Sequence, residues 1–330
     1  MGETGGAISV TPTAKLWIIS DGFAGHEAQT LGIAQALGLE PQVRRIAPRA
    51  LFAALAPFAP IDPRDLETIA PPYPDMAIAA GRRTIPYLRR VKRASGGRVF
   101  TVYVNAPAVG AGAADIIVAP RHDGYFAANV VAPVTPANRI TPALLARLRK
   151  DPDPRVTALP RPRVALLIGG DSRHFRFTPA DAGALADIAR KLAAQGAGLM
   201  ASVSRRTPAG VATALRAALE GAQCFLWDGT GDNPYFSMLA NADHLIVTAD
   251  SVNMVGEAAA TGAPVHVFAP SGGHPKIAAY LEALEAHGAA RPWRGELEEW
   301  RYEPLNSTPM IADAIASAYL TFVKRTPHFR

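Results

Sequence analysis

The chain has 330 residues, a length that favours two domains over one or three. Hydrophobic residues make up 49% of the chain and charged residues 19%, so it can bury a core and is not intrinsically disordered. The single cysteine, Cys224, excludes an intramolecular disulfide framework and a cysteine-based zinc site.

The charge balance is basic. The formal net charge is +6, and only six of the 34 basic residues are lysines. Because the arginine guanidinium suits phosphate groups, this balance favours an anionic ligand, an anionic membrane surface or nucleic acid. The codon usage of a GC-rich genome is the alternative explanation of the same composition.

The N-terminal segment, residues 1–15, lacks the basic stretch and the apolar core of a signal peptide. No apolar run approaches the roughly 18 residues of a membrane span. We therefore expect a cytoplasmic protein, at most peripheral on the inner membrane.

Short apolar runs alternate with amphipathic segments along almost the whole chain, which is typical of parallel α/β sheets. In the first half this pattern predicts strands at 16–20, 75–80, 99–104 and 115–119, with helices after the first two. In the second half it predicts strands at 164–168, 198–204, 222–227, 244–248 and 265–268. Helices are predicted at 179–195, before 220, and at 235–241, 251–261, 275–287 and 308–324. His244 and His266 fall within strand patterns, so we expect both in the core.

The boundary between the halves is rich in proline. Residues 150–163 carry four prolines and no periodicity, which predicts an irregular linker. We therefore place an N-terminal domain at 1–150, the linker at 151–163 and a C-terminal domain at 164–307.

Several nucleotide and hydrolase motifs are absent from the sequence. It contains no G-x-x-x-x-G-K-[ST] loop, no G-x-G-x-x-G after a first strand, no G-x-S-x-G elbow and no H-E-x-x-H. A P-loop kinase, a nicotinamide dehydrogenase, an α/β hydrolase and a zincin are therefore disfavoured.

Polar segments follow two strands of the second half at the sheet edge where open α/β folds bind ligands. After 164–168 come Gly169, Gly170, Asp171 and Ser172, whose glycines would let backbone N–H groups approach a phosphate. After 198–204 come Arg205, Arg206 and Thr207, where adjacent arginines suit a diphosphate. The alternatives are a plain turn at the first segment and a solvated helix start, capped by Thr207, at the second.

The third segment runs from Thr248 to Glu257. Its strand ends in small polar residues, and a helix begins at 250–251, so the helix N-terminus would face phosphates. Glu257 lies about two turns further on, where its carboxylate would accept both ribose hydroxyls. The alternative is an N-cap followed by a surface glutamate.

This third segment, with 262–264, resembles the donor-nucleotide motif of GT-B glycosyltransferases, especially those that build peptidoglycan and lipid A. Segment 225–228 with Tyr235 resembles their base-contacting segment, and 272–276 resembles their late loop. The resemblance implies an α/β, GT-B-like fold of two Rossmann-like domains whose parallel sheets face each other across a cleft. It also implies that the C-terminal helix, 308–330, returns to the first domain. The candidate donor-binding residues are Gly169, Gly170, Asp171, Ser172, Ser204, Arg205, Arg206, Thr207, Trp227, Asn233, Tyr235, Asp250, Ser251, Asn253, Glu257 and Lys276.

The loop 21–26 occupies the place of the acceptor-facing glycine loop of those enzymes. It departs from their Gly-Gly-x-Gly-Gly-His pattern, since it keeps one glycine of each pair and the histidine, His26. His26 is the candidate base, and Asp21 would either orient it or cap the following helix. The candidate acceptor-side residues are Gly25, Arg82, Arg83, Arg121, His122 and Asp123.

A wider set of motifs resembles the elongated-mitochondria, or mitochondrial fission, family along nearly the whole chain. That family includes bacterial proteins and plant factors that recruit a dynamin-related protein to mitochondria, and its members resemble GT-B enzymes in fold. The motifs are 20–29, 80–84, 120–123, 169–172, 204–208, 232–235, 248–257 and 302–306.

These features predict a glycosyltransferase that takes a sugar from a nucleoside diphosphate sugar, with a cell-envelope lipid or saccharide as acceptor. We expect no metal and no cofactor, because helix dipoles and basic side chains neutralise the leaving diphosphate in such folds. No nucleic-acid partner is expected. The alternatives are a nucleotide-sugar epimerase of the same fold and a non-catalytic adaptor for a membrane or protein partner.

Overall fold

The chain divides into two units, one formed by residues 1–139 with 307–330 and the other by residues 140–306. The structure is a computed structural model that describes residues 14–326. The expectation about a signal peptide therefore falls almost entirely outside the described residues. Within that range, no helix combines the length and apolar character needed to cross a membrane.

The first unit is built on a parallel sheet of six strands among the described residues, in the order β2-β1-β3-β4-β5-β6. The strands are β1 (Leu16–Ser20), β2 (Pro41–Arg45), β3 (Met76–Ala80), β4 (Phe100–Val104), β5 (Ile116–Val118) and β6 (Val130–Val131). The helices of this unit are α1 (Ala24–Ala36), α2 (Ala50–Leu55), α3 (Ile85–Ala94) and the C-terminal α11 (Thr308–Arg325).

Both faces of this sheet are covered, as expected for a parallel sheet whose central strands are apolar throughout. Residues such as Ile18 and Ile78 pack with Ile33 of α1 and Ile315 of α11 on one face. On the other face, Trp17 and its neighbours pack against α3. The C-terminal helix is thus part of the core of the first unit.

The second unit carries a parallel sheet, again six-stranded within residues 14–326, in the order β12-β11-β10-β7-β8-β9. The strands are β7 (Arg163–Ile168), β8 (Gly198–Val203), β9 (Cys224–Trp227), β10 (His244–Thr248), β11 (Val265–Phe268) and β12 (Ala290–Pro292). The helices are α4 (Pro142–Lys150), α5 (Pro154–Thr157), α6 (Pro179–Ala194), α7 (Ala209–Ala218), α8 (Tyr235–Asn241), α9 (Val252–Ala259) and α10 (Pro275–His287). Because all strands are parallel, the loops after β7, β8, β10 and β11 emerge at one edge of the sheet.

The two sheets confirm the α/β class, but several elements differ from the sequence prediction. The pattern missed β2, β6 and β12, which lie at sheet edges, where a strand has one neighbour and its apolar signal is weak. The expected irregular linker contains α5, which begins at Pro154, a residue that the first helical position tolerates. The units divide at 139–140 and not within 150–163, because α4 packs against α8 of the second unit.

The packing of α1 depends on Gly32. A Cβ atom at this position would lie 2.5 Å from the carbonyl oxygen of Asn138. A glycine-to-alanine change inside a helix usually stabilises it by about 1 kcal/mol. We expect Gly32→Ala instead to lower the free energy of unfolding by about 1–3 kcal/mol, because backbone atoms cannot move aside cheaply.

Gly183 of α6 provides the matched control, since a Cβ there would meet no atom within 4 Å. We expect Gly183→Ala to be neutral or to stabilise by about 0.5–1 kcal/mol. Thermal unfolding of the two variants measures both effects. Equal shifts in the two would refute the packing role of Gly32.

His266 and His244 are buried in the second unit, 0% and 2% exposed. Both ring nitrogens of His266 lack a hydrogen-bond partner within residues 14–326, and the ring packs edge-on against Trp293 and Trp300. Burial, reinforced by the neighbouring His244 and Arg291 and opposed by Glu298, lowers the pKa of His266 to about 4. His266 is therefore neutral in the folded protein at neutral pH.

This pKa predicts acid sensitivity. The folded pKa of about 4 lies below the unfolded value of 6.5, so protonation favours the unfolded chain. The free energy of unfolding that depends on a neutral His266 is fully present above pH 6.5 and is lost as the pH falls towards 4. We expect His266→Leu to remove about 3 kcal/mol of this pH-dependent loss. Denaturant unfolding at a series of pH values measures it, and parallel profiles for the two proteins would contradict the assignment.

Candidate functional site

The loops after β7 and β10 interlock at the carboxyl edge of the second sheet. The Gly169 N–H donates to Thr248 Oγ1 at 2.8 Å, and the Gly170 N–H donates to Asp250 Oδ2 at 2.8 Å. A Cβ at Gly169 would lie 2.2 Å from the Asp250 carboxylate, and one at Gly170 would lie 2.1 Å from backbone atoms of Arg206. These glycines therefore permit close packing of loops, and their N–H groups already have protein acceptors. This differs from the expected phosphate cradle.

Asp250 organises this edge. Its side chain is 0% exposed, and it also accepts a hydrogen bond from Thr248 Oγ1 at 2.7 Å. Burial raises the pKa of Asp250, while its hydrogen bonds and the charge of Arg206 oppose that rise. Arg206 lies 3.3 Å from the carboxylate and donates to the carbonyl oxygens of Gly170 at 3.2 Å and Asp171 at 3.0 Å. Asp250 and Arg206 thus stabilise the loops, whereas sequence reasoning assigned both to the donor.

Arg205 differs from its neighbour. It is exposed, and among residues 14–326 it has no hydrogen-bond or ion-pair partner. Of the two arginines predicted to bind a diphosphate, Arg205 is therefore the one whose guanidinium is open to a ligand.

The remaining polar residues of the loops after β7 and β8 form hydrogen bonds that stabilise these loops. Ser204 Oγ donates to the Gly169 carbonyl oxygen at 2.7 Å, and Thr207 Oγ1 contacts the same oxygen. Thr207 does not cap α7, which begins at Ala209 without a side-chain cap. Asp171 accepts from the Phe177 N–H at 2.9 Å, and Ser172 Oγ accepts from the Phe175 N–H at 3.1 Å.

Glu257 and Tyr235 meet, as sequence reasoning placed them in one site. The Tyr235 hydroxyl donates to Glu257 Oε2 at 2.6 Å, and Glu257 is 8% exposed. Burial first, and then the Glu257 carboxylate, raise the pKa of Tyr235 well above its ordinary value. The tyrosine therefore stays protonated and fixes the orientation of the carboxylate.

Other predicted donor residues are spread around α8, α9 and α10. Ser251 and Asn253 lie at the start of α9, and Lys276 lies in the first turn of α10. Trp227 ends β9, and its buried Nε1 has no partner within the described residues. Asn233 accepts from the Tyr235 N–H at 3.0 Å and lines a groove with residues of α4 and α5. Asn233 thus lies at the end of the loop between β9 and α8, beside that groove.

A histidine pair at the same edge was missed by sequence reasoning. The ring centroids of His174 and His274 lie 4.0 Å apart with the rings tilted, because the loops after β7 and β11 are joined by an antiparallel bridge between Phe175 and Gly272. A Cβ at Gly272 would lie 2.4 Å from the His174 carbonyl oxygen, so the bridge requires glycine there.

Basic side chains surround this pair. Arg173 Nε lies 3.3 Å from His174 Nε2. Burial and then the neighbouring His274, Arg173 and Lys276 lower the pKa of His174. The available signal in the sequence was the direct continuation of the strand-end segment 169–172 into Arg173 and His174.

Asp21 and His26 form a pair at the carboxyl edge of the first sheet. His26 Nδ1 lies 3.0 Å from Asp21 Oδ1, and the two side chains are 30% and 3% exposed. Helix α1 begins at Ala24, so His26 lies in its first turn and not in a loop. Helix α1 begins without a side-chain cap, so Asp21 does not cap it. The geometry therefore favours the other expected role of Asp21, which is to orient His26.

Gly81 makes this pair possible and was not singled out as a site residue. It adopts φ +86°, and a Cβ there would lie 2.4 Å from His26 Cε1 and 2.9 Å from Asp21 Oδ2. The turn after β3 therefore packs its backbone directly against the His26 imidazole and the Asp21 carboxylate.

The predicted acceptor-side residues divide between structural and open positions. Arg82 donates to the carbonyl oxygens of Ala54 at 3.1 Å and Ala56 at 2.7 Å, so it holds the end of α2. Arg83 lies over the ring of Phe23 at 5.5 Å. Gly25 lies in the first turn of α1.

Arg121, His122 and Asp123 form one helical turn after β5. Burial raises the pKa of Tyr103 on β4, and the carboxylates of Asp21 and Asp123 raise it further. The loops after β1 and β5 therefore both lie near Tyr103. Among residues 14–326, no group of three or more His, Cys, Asp or Glu side chains is arranged to hold a metal ion.

The fold is that of GT-B glycosyltransferases and the related epimerases. UDP-GlcNAc 2-epimerase from Methanocaldococcus jannaschii superposes with a TM-score of 0.55 at 12% identity, covering 93% of this chain and 99% of that one. A putative UDP-N-acetylglucosamine 2-epimerase from Listeria monocytogenes gives 0.53 at 15% identity, with 97% of each chain covered. The glycotransferase of kitacinnamycin gives 0.50 at 13% identity, with 94% of each chain covered.

Residues 24–319 match the family model described as mitochondrial fission ELM1, and the chain belongs to that family. It is 29% identical over 269 residues to mitochondrial fission protein ELM1 of Arabidopsis thaliana, covering 73% of this chain and 63% of that protein. It is 34% identical over 163 residues to an uncharacterized protein of Rickettsia prowazekii, covering 47% and 46% respectively. The matched regions thus span less than two thirds of either relative, and they confirm the resemblance read from the motifs.

Proposed function

We propose that the second unit binds a nucleoside diphosphate sugar and that the protein transfers the sugar to an acceptor hydroxyl. The observation that carries this proposal is the gathering of basic groups at the carboxyl edge of the second sheet. Arg205, Arg173 and the His174–His274 pair come from the loops after β8, β7 and β11. Strands β7 and β11 flank β10, from whose end α9 begins. Open α/β sheets bind ligands at such an edge, and a diphosphate is the anion that fits it.

Glu257 would hold the ribose. It lies in the second turn of α9, buried and oriented by Tyr235. A carboxylate one to two turns into a helix whose N-terminus faces the phosphates is well placed to accept ribose hydroxyls. The epimerase of M. jannaschii with which this chain shares its fold has been crystallised with UDP-GlcNAc and UDP, which supports a nucleotide sugar as the ligand class.

The Asp21–His26 pair would supply the base in a transfer with inversion. His26 takes the proton of the acceptor hydroxyl as its oxygen forms a bond to the sugar carbon. The bond from that carbon to the diphosphate oxygen breaks, and the nucleoside diphosphate leaves with the electron pair. Basic side chains and the α9 N-terminus stabilise the charge of the leaving group. A cell-envelope lipid or saccharide is the proposed acceptor class.

An epimerase is the second candidate, because the epimerase superpositions reach TM-scores of 0.55 and 0.53. Incubation with UDP-, dTDP-, GDP- and ADP-sugars, with and without bacterial lipid extract, separates the candidates by nuclear magnetic resonance. Transfer releases nucleoside diphosphate only when the acceptor-containing extract is present. Appearance of an epimeric nucleotide sugar without an acceptor would instead identify an epimerase. Absence of both products, with no nucleotide binding, would favour a non-catalytic adaptor.

The His174–His274 pair predicts how binding depends on pH. Burial first, and then the neighbouring basic groups, lower the pKa of His174 in the free protein, and a bound diphosphate would raise it again. The protein therefore takes up protons on binding, while the terminal phosphate of the ligand also gains a proton as the pH falls. Calorimetric titrations at several pH values should show that the affinity of wild type relative to His174→Asn rises as the pH falls. Equal slopes would remove the pair from the binding site.

A further inference from the structure

Three large apolar side chains are exposed close together on the first unit. Leu51 and Leu55 of α2 are 66% and 55% exposed, and Phe58, just after that helix, is 78% exposed. Leu51 and Leu55 are four residues apart and so share one face of the helix. Single exposed apolar residues are common, but a cluster of large ones marks an interaction surface. We call these three residues the α2 patch.

Polar contacts at both ends of α2 fix the backbone that carries the α2 patch. Arg82 binds the carbonyl oxygens of Ala54 and Ala56, at the end of α2. Arg49 Nε, just before the helix, lies 2.9 Å from the Asp62 carboxylate, which is 0% exposed. The backbone of the segment is thus fixed while its apolar side chains point outward.

Basic side chains of α3 border the patch. A groove of about 410 Å³ is lined by Phe58, Leu66 and three arginines, Arg89, Arg90 and Arg93. All three arginines are exposed, and within residues 14–326 none has an ion-pair or hydrogen-bond partner. The residues that line this groove include no acidic side chain; Glu67 lines the adjoining hollow, together with Arg90.

We propose that the α2 patch and the α3 arginines form a docking surface for an anionic lipid bilayer. The apolar side chains would enter the boundary between headgroups and acyl chains, and the guanidinium groups would bind lipid phosphates. The positive charge of this surface favours an anionic bilayer over a second copy of the chain as its partner. A symmetric contact through the same patch would bring two sets of three unpaired arginines together.

Vesicle co-sedimentation tests this surface. Full-length protein should bind phosphatidylcholine vesicles that contain about 30% phosphatidylglycerol and should bind pure phosphatidylcholine vesicles far more weakly. Leu55→Ser with Phe58→Ser, and separately the triple change Arg89→Glu, Arg90→Glu and Arg93→Glu, should each lower the partition coefficient by about tenfold or more. Because all five side chains are exposed, thermal unfolding should remain that of wild type.

Matched variants control for composition and net charge. Phe126→Ser removes an aromatic ring that is 73% exposed elsewhere on the first unit. Arg190→Glu, Arg294→Glu and Arg301→Glu reverse three exposed charges on the second unit. Both controls should retain binding. Equal binding to the two kinds of vesicle, or patch variants that bind like the controls, would overturn the proposal. So would sedimentation equilibrium that shows a dimer lost in Phe58→Ser, since a second copy would then occupy the patch.

Discussion

His26→Ala is expected to lower the turnover number for sugar transfer by about 10²–10⁴-fold while leaving the donor dissociation constant unchanged. Asp21 lies 3.0 Å from Nδ1 of the imidazole and is almost fully buried. A hydrogen bond from Nδ1 to this carboxylate would leave Nε2 unprotonated and available as the base. Single-turnover kinetics and calorimetric titration of the donor measure the two quantities separately.

Two further variants sharpen this test. Asp21→Asn keeps the shape of the pair but no longer favours the basic tautomer, so turnover should fall without loss of donor affinity. His287→Ala removes an exposed histidine of α10 and should leave turnover unchanged. Full turnover in His26→Ala, or a product with retained configuration, would exclude His26 as the base.

Glu257→Ala is expected to weaken binding of nucleoside diphosphates by about tenfold or more. Hydrogen bonds from ribose hydroxyls to a carboxylate are charge-assisted, and each is worth roughly 1.5–3 kcal/mol. Calorimetric titration measures the loss. A dideoxy nucleoside diphosphate, which lacks both ribose hydroxyls, should bind wild type and Glu257→Ala with the same affinity.

Tyr235→Phe separates binding from orientation. It removes the hydroxyl that contacts Glu257 Oε2 at 2.6 Å but keeps the ring. The loss of affinity should be smaller than in Glu257→Ala, about tenfold at most. A loss in Glu257→Ala that persists with the dideoxy nucleotide would show that Glu257 supports the fold and does not contact ribose.

Central strands of both sheets and the edge strand β9 could be read from the sequence, whereas the edge strands β2, β6 and β12 could not. Strand β3, Met76–Ala80, is buried at every position, so its apolar run is unbroken. Strand β2, Pro41–Arg45, is partly exposed and combines a proline with two arginines, which masks the strand pattern. The sequence pattern did not predict helix α4, because prolines adjoin it. In the structure Thr141 caps this helix by accepting a hydrogen bond from the Leu144 N–H at 3.1 Å.

The candidate site, like the fold, could be predicted from the sequence only in part. Loops at strand ends were predictable, because parallel strands place them at one edge. The hydrogen bond from Gly170 to Asp250 depends on how two distant loops pack, and the sequence pattern carries no record of it. The same holds for the His174–His274 contact, which exists because the loops after β7 and β11 form a bridge. Residue types at an edge could thus be listed from sequence, whereas their division into structural and open groups required the fold.

Calorimetric titration of UDP, dTDP, GDP and ADP into the wild-type protein tests the central claim most directly. Arg205→Glu is the informative variant, because this arginine is exposed and unpaired within the described residues, and Arg190→Glu is its control. We predict that at least one of the four binds wild type and Arg190→Glu at a single site with micromolar affinity, and that Arg205→Glu weakens it by about tenfold or more. Failure of all four to bind, or equal affinity in the three proteins, would contradict nucleotide recognition at this edge of the second sheet.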